Sequence, residues 1–312
     1  MVSQVAVLGA TGQQGGAVAA ALAKKGVPVV AITRNPDSDK AKALAAVKGT
    51  TVRKADLNDI DSMVAAFEGC DGAFIIANFW EGMDVDKEFK QYENVTTALK
   101  KVGGWKHIVF TTLEESTLDK PGIMDDFKIL HEHPSGPMKV PHFDGKARCE
   151  KLFDGLPTTF MVTSCYFENF TSFFAITKQE DGTYTFTLPL RDKTVPWTIL
   201  PDLGSLVAGA FGDENLVGKR MGQASFSVTG HELAAILSKA TGKTIKYNEV
   251  SWETFAAFGF PSADELAQMF EFWMRIHDDF CKARELAPQK EIMGCEFTDP
   301  VEYAKTLNLK WE

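Results

Sequence analysis

A glycine-rich turn at the start of the chain constrains its fold more than any other stretch. The apolar run from Val5 to Leu8 stops at Gly9; Gly12, Gly15 and Gly16 follow, and residues 17–22 have a helical pattern. A strand, a glycine turn and a helix in that order open a dinucleotide-binding βαβ unit. Glycine lets backbone N–H groups come close to a pyrophosphate, and a helix N-terminus adds positive potential there. The spacing is G-x-x-G-x-x-G rather than G-x-G-x-x-G, so the turn alone indicates a dinucleotide without saying which.

The pattern then repeats. Apolar strands at 27–32, 50–55, 72–77, 106–112 and 157–163 alternate with helical segments at 39–47, 61–67, 85–101 and 146–153. Such alternation predicts an α/β fold, a Rossmann-type doubly wound parallel sheet. Residues 1–165 are assigned to this layer and 166–312 to a smaller α+β part. Residues 195–212, a strand followed by a helix, are expected to rejoin the main sheet. The net charge of −9 opposes nucleic acid as the main ligand, because duplex binding requires clustered Lys and Arg. No apolar run reaches the roughly 20 residues that span a bilayer, which predicts no membrane segment. Five scattered cysteines without a C-x-x-C pair predict neither a disulfide framework nor structural zinc. The chain enters a strand almost at once, leaving no room for a leader, so cytoplasmic residence is expected, with entry to the nucleus left open.

Cofactor choice in such folds is made at the end of the second strand. NAD-preferring sites place a carboxylate there for the ribose hydroxyls. Here Arg34 and Asn35 stand in that place, with no carboxylate before Asp37. A guanidinium pairs with a 2′-phosphate in two parallel bonds, which predicts NADP(H). After the third strand, Asp56 and Leu57 fall near the adenine, while Asn58 or Asp59 suits the cap of the next helix. The loop from Asn78 to Glu81 leaves the fourth strand on the ligand side. Residues 113–140, rich in Pro, Gly, Asp and His, read as a flexible solvated segment beside the cleft. His131 and His133 lack further ligands at site-like spacing, so no metal is expected.

Gly9-x-x-Gly12-x-x-Gly15, Arg34-Asn35-Pro36, Asn78-Phe-Trp-Glu81, His142-Phe-Asp-Gly-Lys146 and Cys165-Tyr-Phe-Glu-Asn169 occur in one order. Together they resemble the NmrA-like proteins, atypical members of the short-chain dehydrogenase/reductase superfamily, and above all the NmrA-like redox sensors of animals. The resemblance implies that Gly9, Ala10, Thr11, Gly12, Gln13 and Gln14 cradle the pyrophosphate. It implies that Arg34 and Asn35 hold the 2′-phosphate, that Asp56 and Leu57 surround the adenine, and that Ala77, Asn78 and Phe79 line the ribose. Lys90 would reach in from its helix and Lys146 would bond the nicotinamide ribose. Tyr166, Phe167, Glu168 and Asn169 would flank the nicotinamide.

One departure bears on mechanism. Superfamily enzymes carry Tyr-x-x-x-Lys, in which the lysine lowers the tyrosine pKa for proton exchange. Here Lys146 is present but His142 holds the tyrosine position, and the helper serine falls on Thr111 or Thr112. Two functions follow. One is an NADP(H) redox sensor that lacks the catalytic tyrosine and signals to a regulatory protein partner. The other is an NADPH-dependent reductase of a small hydrophobic carbonyl or quinone substrate, with Lys146, His142 and Thr111 or Thr112 as catalytic candidates. Phe170, Phe173 and Phe174, just after the nicotinamide loop, would wall a hydrophobic cleft. Either a monomer or a homodimer suits both functions.

Overall fold

In a computed structural model that describes residues 2–117 and 121–312, the alternating pattern becomes a parallel sheet. Its first strands are Val5–Val7 (β1), Val29–Thr33 (β2), Thr50–Lys54 (β3), Gly72–Ile75 (β4) and His107–Thr112 (β5). All but the edge strand β3 are buried throughout, as parallel strands covered on both faces must be. Helices Gln13–Lys24 (α1), Asp39–Ala45 (α2), Ile60–Phe67 (α3) and Val85–Val102 (α4) connect them. Ser38, Asp59 and Asp84 cap α2, α3 and α4 with side-chain oxygens. The first turn of α1 follows Gly12 and has no side-chain cap.

Residues 113–140 depart from the flexible loop expected of them; positions 118–120 lie outside the described residues. Strands His131–His133 (β6) and Gly136–Met138 (β7) pair as a hairpin, and Met124, Phe127, Met138 and Val140 are buried. The scattered apolar residues of this stretch have neither helical nor strand period, so their anchoring was hidden in the pattern. Helix Pro141–Cys149 (α5) and strands Thr158–Val162 (β8) and Cys165–Tyr166 (β9) follow.

The C-terminal part adds Thr177–Lys178 (β10), Tyr184–Leu188 (β11), Val195–Thr198 (β12), Leu200–Ala210 (α6), Arg220–Gly222 (β13) and Phe226–Val228 (β14). It ends with Gly230–Thr241 (α7), Ile245–Glu249 (β15), Trp252–Ala256 (α8), Ala263–Arg275 (α9), His277–Lys282 (α10), Leu286–Met293 (α11) and Pro300–Ala304 (α12). The main sheet runs β13-β8-β5-β4-β1-β2-β3. The expected return to it is made differently from the sequence reading. Strand β12 pairs with β9 and β14 in a separate small sheet, while β13 supplies the seventh strand. Helix α6 packs on α1, where a Cβ on Gly204 would lie 2.4 Å from the Ala17 carbonyl oxygen. One apolar cluster covers each face of the main sheet, and an aromatic third (Phe170, Phe174, Phe186, Trp197, Phe270, Trp273) fills the C-terminal part.

Candidate functional site

A cleft of about 620 Å³ opens over the carboxyl ends of β1, β2, β4, β5 and β8, where ligands of open α/β sheets bind. Its floor is the glycine turn. Gly9 has a φ of +61°, and a Cβ on Gly15 would stand 2.3 Å from the Gly9 carbonyl oxygen, so Gly15 seats α1 against β1. Gly9, Thr11, Gly12, Gln13 and Gln14 line the cleft beneath the uncapped start of α1. Ala10 does not: it is buried, and its N–H donates to the Ile32 carbonyl at 3.3 Å. Gln14 Nε2 donates to the Tyr166 hydroxyl, and Gln14 Oε1 is buried without a partner among the described residues.

At the end of β2, Arg34 lines the cleft together with Lys40 from the first turn of α2. The two terminal nitrogens of Arg34 donate to the two carboxylate oxygens of Glu81 at 2.7 and 3.0 Å. Asn35 stays out of the cleft lining; its side-chain oxygen accepts from the Asp37 N–H at 3.1 Å and shapes the loop before α2. Asp56 and Leu57 line the far end. Asp56 Oδ1 takes the Asn58 N–H, and of the two candidate caps it is Asp59 that starts α3.

Ala77, Asn78, Phe79 and Trp80 form the opposite side. The Ala77 N–H donates to the hydroxyl of Tyr92, which is fully buried on α4. Lys90 does not reach this site, since it pairs with Glu93 at 2.8 Å on the solvent side. Helical geometry explains the correction: Glu88, Tyr92, Val95 and Leu99 share the buried face of α4, and Lys90 lies two residues, about 200°, from both Glu88 and Tyr92. Gln91 is the neighbour that lines the cleft.

Lys146, on α5, lines the deep part and donates to Glu88, both side chains being buried. Glu88 Oε2 has no partner among the described residues. His142, one turn earlier, is fixed twice by Glu265 of α9: its backbone N–H at 2.8 Å and its Nδ1 at 2.7 Å both meet Glu265 Oε1. A carboxylate at Nδ1 selects the tautomer protonated there. The ring lines the cleft, and its hydrogen bond to Glu265 is made through Nδ1, not Nε2. Both helper threonines line the cleft, but strand alternation gives them different surroundings. Thr112 donates to Glu150 at 2.7 Å, a structural partner shared with Arg220, whereas the buried Thr111 hydroxyl has no partner among the described residues.

From β9 and the turn after it, Tyr166 and Asn169 line the cleft and the two residues between them do not. Phe167 sits in the aromatic core, and Glu168 turns away to accept from the Leu200 N–H at 2.9 Å and the Tyr303 hydroxyl at 2.6 Å. Burial raises the Glu168 pKa against those two donors. The Asn169 carbonyl accepts N–H groups from Phe173 and Phe174, presenting both to the cleft, while Phe170 joins the core. Trp80 stacks obliquely between His142 and Phe173, with ring centroids 4.9 and 5.5 Å away. Leu266, Met269 and Trp273 complete an apolar wall.

Trp80 and Glu81 lie in the loop that the sequence places on the ligand side, without a role of their own, whereas Lys40, Glu88 and Glu265 were missed as participants. Of these three, Glu88 left a signal, as a carboxylate in phase with the apolar face of α4. Among the described residues no cluster of His, Cys, Asp or Glu is arranged to hold a metal, and no helix is long and apolar enough to cross a membrane.

The NmrA-like family model matches residues 1–303 of the chain. The chain belongs to the NmrA-like family. Within it, the NmrA-like family domain-containing oxidoreductase FrzB of a Cladobotryum species is 30% identical over 294 residues, covering 86% of this chain and 83% of that protein. Quinone oxidoreductase 2 of Escherichia coli is 31% identical over 261 residues, covering 81% and 80%. Its crystal structure with NADPH aligns with a TM-score of 0.69 at 26% identity, covering 96% of this chain and 98% of that one. The negative transcriptional regulator NmrA, solved in complex with NADP, has the same fold, with a TM-score of 0.74 at 21% identity and coverage of 97% and 94%. The NmrA-like fold thus includes both a regulator and a quinone reductase.

Proposed function

We propose that this NmrA-like protein is an NADP(H)-dependent reductase of a flat hydrophobic carbonyl or quinone. The residues suit the cofactor. The glycine turn and uncapped α1 offer backbone donors for a pyrophosphate, and Arg34 with Lys40 offers cations where a carboxylate would reject a 2′-phosphate. When bound, a reduced nicotinamide supplies hydride. Lys146 is placed to hold ribose hydroxyls, and Glu88 fixes its ammonium. An acceptor oxygen that gains the hydride's electron pair needs one proton, which His142 relays from solvent through Nε2, while Glu265 holds the ring at Nδ1. Trp80, Phe173, Phe174 and Met269 exclude water from a planar acceptor. The observation that carries this reading is the Glu265-backed imidazole inside an aromatic cleft. The similar quinone oxidoreductase of E. coli adds support.

The test is NADPH oxidation with a panel of quinones and aromatic carbonyls. His142→Asn keeps a donor for Glu265 but removes Nε2. It is expected to lower kcat on the order of 100-fold with the calorimetric Kd for NADPH unchanged. Absence of turnover with every acceptor would abandon the reductase and leave the sensor. One observation favours that second reading: Arg34 is paired with Glu81, so a 2′-phosphate bound on Arg34 must displace an internal carboxylate.

A further inference from the structure

We propose that Glu81 is an internal competitor for the cofactor's 2′-phosphate and thereby sets the discrimination between phosphorylated and unphosphorylated dinucleotides. This rests on the NADP(H) reading above. The pairing of Arg34 with Glu81 is an end-on fork of two bonds, at 2.7 and 3.0 Å, which is the geometry a phosphate would use on the same edge of the guanidinium. A carboxylate and a phosphate cannot share that edge without placing like charges in contact. The ion pair is half exposed on both sides, with side-chain exposures of 61% and 47%, so it is weak enough to exchange. Lys40 lines the same end of the cleft and remains available to a phosphate as Glu81 withdraws. A dinucleotide without the phosphate meets no such competition.

Exchange at Glu81 also has a route into the substrate end of the cleft. Glu81 closes a single helical turn, Phe79–Glu81, whose other members wall the cleft. The Phe79 ring lies 5.8 Å from His142, and Trp80 bridges His142 and Phe173. Beyond the turn, Met83 has a φ of +49° and its sulfur accepts from Ser262 Oγ at 3.3 Å, which tethers the far end. Release of Glu81 therefore acts on Trp80, one residue away, rather than dissipating along the loop.

The experiment measures calorimetric affinity for NADP+ and NAD+ in the wild type, Glu81→Gln, Glu81→Ala and Arg34→Ala, with tryptophan fluorescence read against a Trp80→Phe background. Removing the carboxylate is expected to tighten NADP+ by about two- to fivefold and to leave NAD+ unchanged. The Trp80 signal should respond more to NADP+ than to NAD+ in the wild type and equally in Glu81→Gln. If Arg34→Ala removes the preference for NADP+ but both Glu81 variants leave NADP+ binding unchanged or weaker, the competitor role is overturned and the NADP(H) reading stands. If Arg34→Ala leaves the ratio of the two affinities unaltered, the NADP(H) reading itself falls.

Discussion

The five residues from His142 to Lys146 each face a different partner, which explains why so short a block is so specific. His142 meets Glu265, Phe143 enters the aromatic core beside Trp273, Gly145 faces α4 and Lys146 meets Glu88. Asp144 accepts from the N–H groups of Ser116, Lys139 and Val140 at 2.7–3.1 Å and from Ser116 Oγ at 3.0 Å. Despite those donors, burial and the neighbouring Glu115 push its carboxyl up to about 6. An acid raised on folding keeps its proton longer in the folded chain. Between about 4, its unfolded value, and 6 the folded state binds more protons, so this group's contribution to stability falls as pH rises through that window. Asp144→Asn loses acceptors at every pH but removes the titration. Its cost in denaturant unfolding should therefore be greater at pH 4 than at pH 7, by on the order of 2 kcal/mol. An equal cost at both pH values would contradict the raised carboxyl.

Helices α4 and α5 bring Lys146 and Glu88 together, and their closeness depends on Gly145. A Cβ there would stand 2.4 Å from Val85 Cγ2, a stiff β-branched side chain at the start of α4. Gly145→Ala should cost about 1–3 kcal/mol through overpacking. Val85→Ala, destabilising alone, should recover part of that cost in the double variant, and strictly additive costs would deny the contact. This scale also shows how much was legible beforehand. The β1–β5 sheet, the glycine turn and the cleft side of Arg34, Asn78 and Lys146 followed from strand and helix periods and from motif order. Lys90 rests on the family resemblance and Phe167 and Glu168 on adjacency within a motif, and helical phase or a single tight turn sends them elsewhere. The pairs Arg34–Glu81 and His142–Glu265 join elements 47 and 123 residues apart. Periodicity describes which face a residue takes and carries no information about which distant element covers it.

Across the whole molecule, α9 walls the cleft from the C-terminal side and fastens the segment read as flexible from the sequence. Glu265 reaches α5, and Gln268 donates to the carbonyls of Lys128 and Lys139. Arg275 forks onto Asp126 at 2.5 and 2.8 Å, donates to the Ile123 carbonyl at 2.6 Å and to Glu271 at 3.0 Å, and lies over the Phe127 ring at 4.2 Å. Only a guanidinium has enough donors in one plane to make these contacts together, so lysine is not a conservative replacement. Apart from Glu271 on its own helix, the partners of Arg275 lie within residues 121–130 and not in the main sheet, so their loss should open a sub-global unit rather than the entire fold. In Arg275→Lys and Arg275→Ala alike, amide exchange should accelerate at residues 121–140, with β1, β4 and β5 keeping wild-type protection. If lysine preserves protection, simple charge pairing with Asp126 suffices. If protection falls equally in the sheet, the segment and the sheet unfold as one cooperative unit.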